Sequence, residues 1–427
     1  MEISELYQKY LETGKVSTDT RQITSGSVFF AIKGPNHNAN EFASEALAKG
    51  ASYAVVDEAR FMSGDRCLLV QDGLSTLQDL ARHHRSQLKI PVIGLTGSNG
   101  KTTSKELVNA VLNKKFNVYA TKGNLNNHIG VPLTILSLDA SHEMAVVEMG
   151  ANHLGEIAAL CNIAQPTHGF ITNIGKAHIG TFGGFENIIR GKSELFQYLI
   201  THNGIAFINS QNPILSNMTK RFKNPVLYPS VGDYYHCRLV SADPHVVIEA
   251  GDGERIVTQM IGSYNFENMA VALCIGKYFG VGAPEANRAI ADYVPGSMRS
   301  QIVKKDTNTI ILDAYNANPS SMEAAINNLA GMEAKRKVVI LGDMYELEGE
   351  TASEHRRIGS LLQEKKINEA YLCGPLMKEA QKTFPLGKFF QSKDELILEL
   401  KNNPIRNALI LIKGSRGMAM EKVVEVI

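Results

Sequence analysis

The segment Ile90-Pro91-Val92-Ile93-Gly94-Leu95, followed at once by Thr96-Gly97-Ser98-Asn99-Gly100-Lys101-Thr102-Thr103, constrains this chain more than any other stretch. The apolar run reads as a buried strand, and Leu107, Val108, Val111 and Leu112 lay one apolar stripe along the helix that follows. A glycine-rich turn between strand and helix aims backbone N–H groups inward, and the helix N-terminus adds partial positive charge. Such a loop holds phosphate. Lys101 is expected at the β- and γ-phosphates and the Thr102 hydroxyl on Mg²⁺. The loop is a variant of the strict pattern, with Leu95 where the first glycine would stand and glycines at 94 and 97. The competing reading is an ordinary glycine-rich turn, which Gly-Lys-Thr in a strand–helix context argues against. Alone, the loop says nucleoside triphosphate and little else.

The surrounding pattern extends this to an α/β chain of three domains. Residues 1–88 hold strand candidates at Val28–Ile32, Tyr53–Val56 and Cys67–Val70, with helical stretches at Glu41–Lys49 and Ser75–His84. This reads as a small α/β domain. Residues 89–297 contain the phosphate loop and further apolar strands at Ala145–Val147, Gly169–Thr172 and Ile205–Ile208, as in a parallel sheet with covering helices. Residues 298–427 alternate strands at Thr309–Leu312, Lys337–Leu341, Ala370–Cys373 and Ala408–Ile412 with helices at Ser320–Leu329, Ser353–Gln363 and Lys393–Lys401. That alternation predicts a Rossmann-like domain, and Asp313, Asp343 and Lys413 each end a strand on the edge where such sheets bind ligands.

Composition narrows the class. The net charge is +1, which argues against a general nucleic-acid or acidic-membrane binder. The five cysteines, at 67, 161, 237, 274 and 373, are scattered and form no CxxC pair. A disulfide framework or zinc site is not expected, and a reducing compartment fits. The start, Met1-Glu2-Ile3-Ser4-Glu5, lacks a signal-peptide pattern, and no apolar run approaches the ~20 residues that span a bilayer. The expectation is a cytoplasmic protein, acting as a monomer on small molecules, with no nucleic-acid or membrane partner.

The segment Thr96–Thr103 resembles the ATP loop of the Mur ligases and of the related folylpolyglutamate synthases. Further segments resemble the Mur branch in the same order along the chain. These are Ser17-Thr18-Asp19-Thr20-Arg21, Val28–Gly34, Gly123-Asn124-Leu125-Asn126-Asn127-His128-Ile129-Gly130-Val131-Pro132, Val147–Asn152, and Thr172-Asn173-Ile174 with His178. In the last third, Asp313-Ala314-Tyr315-Asn316-Ala317-Asn318-Pro319, Leu341–Leu347 and Lys413-Gly414-Ser415-Arg416-Gly417 continue the likeness. Gly123–Pro132 and Asp313–Pro319 are similar to the branch that adds D-alanyl-D-alanine to a UDP-N-acetylmuramoyl-tripeptide. The resemblance thus implies ATP-dependent amide formation through an acyl phosphate, in peptidoglycan precursor synthesis. It also implies a UDP-binding first domain, a P-loop central domain and a Rossmann-like third domain. One departure is Tyr264 in Ile261-Gly262-Ser263-Tyr264-Asn265, where many relatives carry His.

The same resemblance implies roles. Gly97, Ser98, Asn99, Gly100, Lys101, Thr102 and Thr103 would hold the ATP phosphates, with Asn268 near adenine, Arg299 at the domain junction, and Asp313 meeting the nucleotide on closure. Glu148, with Thr102, is expected as a Mg²⁺ ligand, oxygen being the ligand hard cations prefer, and His178 in a metal or phosphate role. Lys192, in Arg190–Phe196, corresponds to a carbamoylated lysine, whose carbamate would turn a cation into an anionic metal ligand. Lys101, Glu148, His178 and Lys192 form the expected catalytic set. Thr20 and Arg21 would contact the uridine diphosphate, Arg through its fork of donors. Thr121, Asn124, Asn126 and Asn127 would meet the muramoyl peptide, and Lys413 and Arg416 the substrate's charged parts. Each also has a plain reading: a solvated strand-end Glu, a structural His, a helical Lys, self-capping amides, a surface charge. Two other classes compete. One is another ligase of the superfamily, either the third-residue-adding enzyme or a folylpolyglutamate synthase. The other is a non-catalytic nucleotide-binding module. If loop and Asp313 touch one nucleotide, the third domain must close on the second, with a hinge expected near residues 294–300.

Overall fold

The computed structural model describes residues 1–296 and 298–427; Ser297, inside the expected hinge, lies outside the described residues. Three sheet-bearing regions follow one another. The first has four parallel strands in the order Val16–Ser17, Val28–Phe30, Tyr53–Val56, Cys67–Leu69. Strand alternation divides its side chains. Phe29, Ala54 and Val56 pack under the helix Ala43–Ala48, while Val28, Phe30 and Val55 face Leu6, Leu77 and Leu80.

The helix Gly73–Gln87, capped by the Asp72 carboxylate accepting from Ser75 N–H at 2.7 Å, carries the chain onward. It is pinned to the central region. His84 Nε2 meets Leu138 O at 2.9 Å, and the Arg85 guanidinium reaches the carbonyls of Ala164 and Gln165. Tyr10, from the N-terminal helix Ile3–Thr13, donates its hydroxyl to Leu136 O at 2.8 Å.

The central sheet has six parallel strands in the order Val226–Tyr228, Ile205–Asn209, His168–Ile171, Val92–Thr96, Met144–Glu148, Val118–Ala120. The Val92–Thr96 strand is thus interior, buried at every residue, and the loop after it opens at the sheet's carboxyl edge. The helix Lys101–Leu112 packs its apolar stripe on the helix Asn265–Tyr278. An antiparallel sheet of Arg238–Ser241, Val247–Glu249 and Arg255–Val257 adds to this region without being anticipated from sequence.

The last sheet runs Gln301–Lys305, Asn308–Asp313, Leu409–Lys413, Lys337–Gly342, Glu369–Cys373, Lys388–Phe390, parallel except for its first strand. The sequence pattern predicts its four interior strands and misses the two at the edges. Between the central and last sheets, Met298 and Ser300 both take left-handed backbone, at φ 57 and 54. All five cysteines are free and buried. No helix among the described residues is long and apolar enough to cross a membrane.

Candidate functional site

The phosphate loop is shaped by the strand beside it. Gly97 has φ +147, and a Cβ there would fall 1.9 Å from Thr172 Oγ1; at Gly100, φ +77, it would fall 2.6 Å from Asn268 Oδ1. Only glycine fits both the backbone and the space. Thr172 donates to Asn99 O at 2.6 Å, Asn173 Oδ1 accepts from Asn99 N–H at 3.0 Å, and Ser98 Oγ donates to Gly175 O at 2.9 Å. Thr172 and Asn173 of that motif, with Gly175 just after it, thus clamp the loop.

Gly100 caps the helix Lys101–Leu112, leaving its first N–H groups directed at the cleft. Lys101 turns its ammonium back onto Gly97 O at 2.7 Å. Burial lowers its pKa, Glu148 raises it in part, and Arg299 lowers it further. An anion at the helix N-terminus would supply the charge this ammonium lacks.

Glu148 ends the interior strand Met144–Glu148 and is 1% exposed. The Thr102 hydroxyl donates to Glu148 Oε2 at 3.0 Å, and Asn126 Nδ2 donates to Oε1 at 2.8 Å. A hydroxyl and a carboxylate meeting at a phosphate loop are the hard oxygen donors Mg²⁺ takes, so these residues fit that ion. The other two expected ligands sit apart from this pair. The His178 ring meets the Glu346 carboxylate of the last region, and Lys192 Nζ donates to Ala151 O at 3.0 Å. Lys192 is 1% exposed and 5.1 Å over the Phe182 ring. Burial, then the Lys101 charge, push its pKa well down.

The cleft encloses about 880 Å³ and draws walls from both the central and last regions. Ser98 through Thr103, Glu148, His178 and Asn268 line it from one side. Asn268 accepts from Ser104 Oγ at 2.8 Å and braces Gly100. From the other side come Arg299, stacked 3.7 Å over Tyr315 with its Nε buried and without a hydrogen-bond partner among the described residues, and Asp313. Lys413 lines the cleft but is 2% exposed and bound to Asp313, while Arg416 is exposed and paired with Glu421 at 3.0 Å. Of the amide-rich segment, Asn124, Asn126 and Asn127 line the cleft. Asn127 Oδ1 also caps Gly130 N–H at 2.9 Å. Thr121 is 2% exposed, and its hydroxyl accepts from Glu148 N–H at 3.0 Å, so it anchors the backbone at the strand end that carries Glu148. Thr20 and Arg21 lie on the first region away from the cleft walls, with Arg21 forked onto Asp19. Asp343, though at a strand end, is wholly buried and does not line this cleft.

The contacts between the central and last regions draw mostly on residues to which the sequence assigned no role, with Asn99 of the phosphate loop as the exception. Asn318 Nδ2 donates to Asn99 Oδ1 at 2.8 Å, Lys176 N–H donates to Ser320 Oγ at 2.9 Å, and the Lys176 ammonium pairs with the buried Glu354. Tyr264 donates to or accepts from Ser300 Oγ at 2.6 Å, so the departure from His ties the central region to the junction. Asn318 also caps the helix Pro319–Gly331, and Asn before Pro is the local pattern that could have pointed to it.

Comparison with known proteins gives a consistent pattern. The family model described as the Mur ligase middle domain matches residues 95–276, and that of the Mur ligase glutamate ligase domain matches residues 298–416. The UDP-N-acetylmuramoyl-tripeptide–D-alanyl-D-alanine ligase of Bacillus subtilis is 33% identical over 96% of this chain and 92% of its own length. Among solved structures, MurF from Acinetobacter baumannii matches with a TM-score of 0.88 at 29% identity, covering 99% of this chain and 97% of that one. MurF ligase from Thermotoga maritima, in complex with ADP, matches with a TM-score of 0.84 at 27% identity and covers 97% of both chains.

Proposed function

The chain belongs to the Mur ligase family, and from that premise we propose that it joins D-alanyl-D-alanine to UDP-N-acetylmuramoyl-tripeptide at the expense of ATP. The observation that carries the reading is the meeting of the phosphate loop, Glu148 and Thr102 with Asp313 and Arg299 around one cleft. A carboxylate is a poor electrophile. Transfer of the γ-phosphoryl group to the tripeptide's terminal carboxylate gives an acyl phosphate and ADP. The dipeptide amine then attacks the acyl carbon, and phosphate leaves. Both steps gather negative charge at one point, so positioning and cationic stabilisation do most of the catalysis.

Lys101 and the free N–H groups after Gly100 are placed to receive the β- and γ-phosphates. Thr102 and Glu148 would hold Mg²⁺, which when bound shields phosphate oxygens and steadies the phosphoryl group. His178 and a carbamate on Lys192 are proposed as further ligands. The low pKa of the buried Lys192 amine supports its reaction with carbon dioxide, which forms an N–C bond and releases a proton. Asn268 and Arg299 are assigned to the nucleotide. Asn124, Asn126 and Asn127 are assigned to the muramoyl peptide, with Thr121 anchoring the backbone at Glu148. Thr20 and Arg21 of residues 1–88 are assigned to the uridine diphosphate, and Arg416 to the substrate's charge. Residues 89–297 and 298–427 act as the ATP-binding and closing domains. The reaction supplies peptidoglycan precursor, and we place it in the cytoplasm with the enzyme as a monomer.

The test is phosphate release in a coupled assay. It should require ATP, UDP-N-acetylmuramoyl-tripeptide and D-alanyl-D-alanine together. Release with ATP alone, or with another amino acid in place of the dipeptide, would overturn the assignment.

A further inference from the structure

The mechanism above gives no part to the buried cation beside the phosphate loop. Lys105 lies one helical turn after Lys101 on the helix Lys101–Leu112 and is 3% exposed. Its Nζ stands 3.6 Å from Glu148 Oε2. A carboxylate or an ammonium buried alone is costly, and each here offsets the other. Glu148 therefore reaches the cleft with its charge already matched and with hydrogen bonds from Thr102 and Asn126.

The remaining charges do not favour a bare dication. Lys101 and Arg299 line the same cleft. The other acids on its walls are engaged: Asp313 with Lys413, Glu156 with the N–H groups of Asn152 and His153, and Glu267 held towards its neutral form by burial. Among the described residues no group of three His, Cys, Asp or Glu converges to hold a metal. A dication approaching Glu148 alone meets a neutralised carboxylate with an ammonium just behind it. A triphosphate on the loop adds several negative charges at the same place and reverses the balance.

We infer that Lys105 is the internal counter-ion of Glu148, which makes the site refuse a free divalent cation and accept one only together with a nucleoside triphosphate. The inference rests on the ATP reading above and deepens it. Lys105 is a positioning residue that acts through Glu148. It makes metal and nucleotide arrive together, and it keeps the Glu148 carboxylate in place between turnovers.

The experiment uses Mn²⁺ as the probe, with bound and free ion distinguished by electron paramagnetic resonance. Full-length wild type, Lys105→Met and Lys105→Arg are each titrated with and without ATP. Wild type and Lys105→Arg should bind Mn²⁺ at least roughly tenfold more weakly without ATP than with it. Lys105→Met should bind Mn²⁺ alone roughly tenfold more tightly than wild type does, while its affinity with ATP changes far less. A residue that only fills space would not move that ratio. Equal affinity of wild type for Mn²⁺ with and without ATP overturns the inference even if Lys105→Met fails to fold. So does a folded Lys105→Met with wild-type affinity for Mn²⁺ alone, and so does Lys105→Arg behaving like a gain-of-binding variant. If no protein binds Mn²⁺ even with ATP, the ATP reading falls and this inference with it; if all bind Mn²⁺ with ATP and differ nowhere, only this inference falls.

Discussion

Asp313 and Lys413 stand opposite one another on adjacent parallel strands, and the ammonium donates to the carboxylate at 2.6 Å. The pair is asymmetric: the Lys413 side chain is 2% exposed and that of Asp313 is 16%. Asp313 also accepts from Ser300 N–H at 3.1 Å, so the pair fixes the junction between the central and last regions. Asp313→Ala leaves a deeply buried ammonium with only backbone carbonyls to accept from it, Asn316 O at 3.1 Å first, and should destabilise by about 3–4 kcal/mol, whereas Lys413→Met leaves a carboxylate with another donor and some solvent, costing about 2 kcal/mol. Urea unfolding of both variants checks the order, and the reverse order would contradict the geometry.

Lys101 is the cation nearest the expected phosphates. Lys101→Ala should lower turnover by ~10³ or more while leaving the fold intact, as for other key electrostatic groups. Steady-state kinetics with circular dichroism on the same sample decide it; a folded variant with near-normal turnover would remove Lys101 from the phosphate site.

Lys192→Ala should lose most activity, and added acetate should restore part of it by supplying a carboxylate where the carbamate would be. Intact-protein mass spectrometry under carbon dioxide, with trapping, should find one added carbon dioxide that is absent from the variant. A fully active Lys192→Ala would reduce the residue to a buried helical lysine.

The contacts Asn318–Asn99 and Lys176–Glu354 hold the last region against the phosphate loop. Glu354→Gln keeps the shape and removes the charge, so it should shift the protein toward an open form with a larger radius of gyration. Small-angle scattering with and without ATP and substrate should show a larger difference for the variant than for wild type. Identical profiles in both proteins would exclude this pair as a latch.

Asp343 is fully buried, and burial pushes its pKa up to about 6 from 3.8. The fold therefore holds a proton that the unfolded chain releases first. The stabilisation is complete below about pH 4 and is lost as pH rises through 6, amounting to on the order of 3 kcal/mol. Asp343→Asn keeps the acceptor for Met377 N–H, which sits 2.9 Å from Oδ1. It should flatten the pH 4–7 stability profile and match or exceed wild type at pH 8. Unfolding midpoints across that range test the sign.

What the sequence made legible was whatever repeats with a clear period or sits in a tight motif. The interior strands of the last sheet are apolar runs of five or six residues, and they stand where the pattern puts them. The helix Asn265–Tyr278 escaped because it is buried on nearly every side from Asn265 to Gly276, leaving no polar face to mark a period. Val118–Ala120 is a half-buried edge strand of three residues, too short to carry an alternation. At the site, the motifs gave Lys101, Thr102 and Glu148, but pairings such as Asn318–Asn99 and Tyr264–Ser300 join residues far apart in the chain. No local spacing encodes them; they exist only once the sheets are stacked.

The two junctions of this chain are mechanically unlike. The first is a continuous helix bolted down through Tyr10, His84 and Arg85, while the second passes through Met298 and Ser300, whose backbone already occupies a costly region. A three-part molecule would ordinarily have two joints to coordinate. Under the proposed closure the hinge falls at the second junction, with the first two parts serving as an anvil and the third as the jaw.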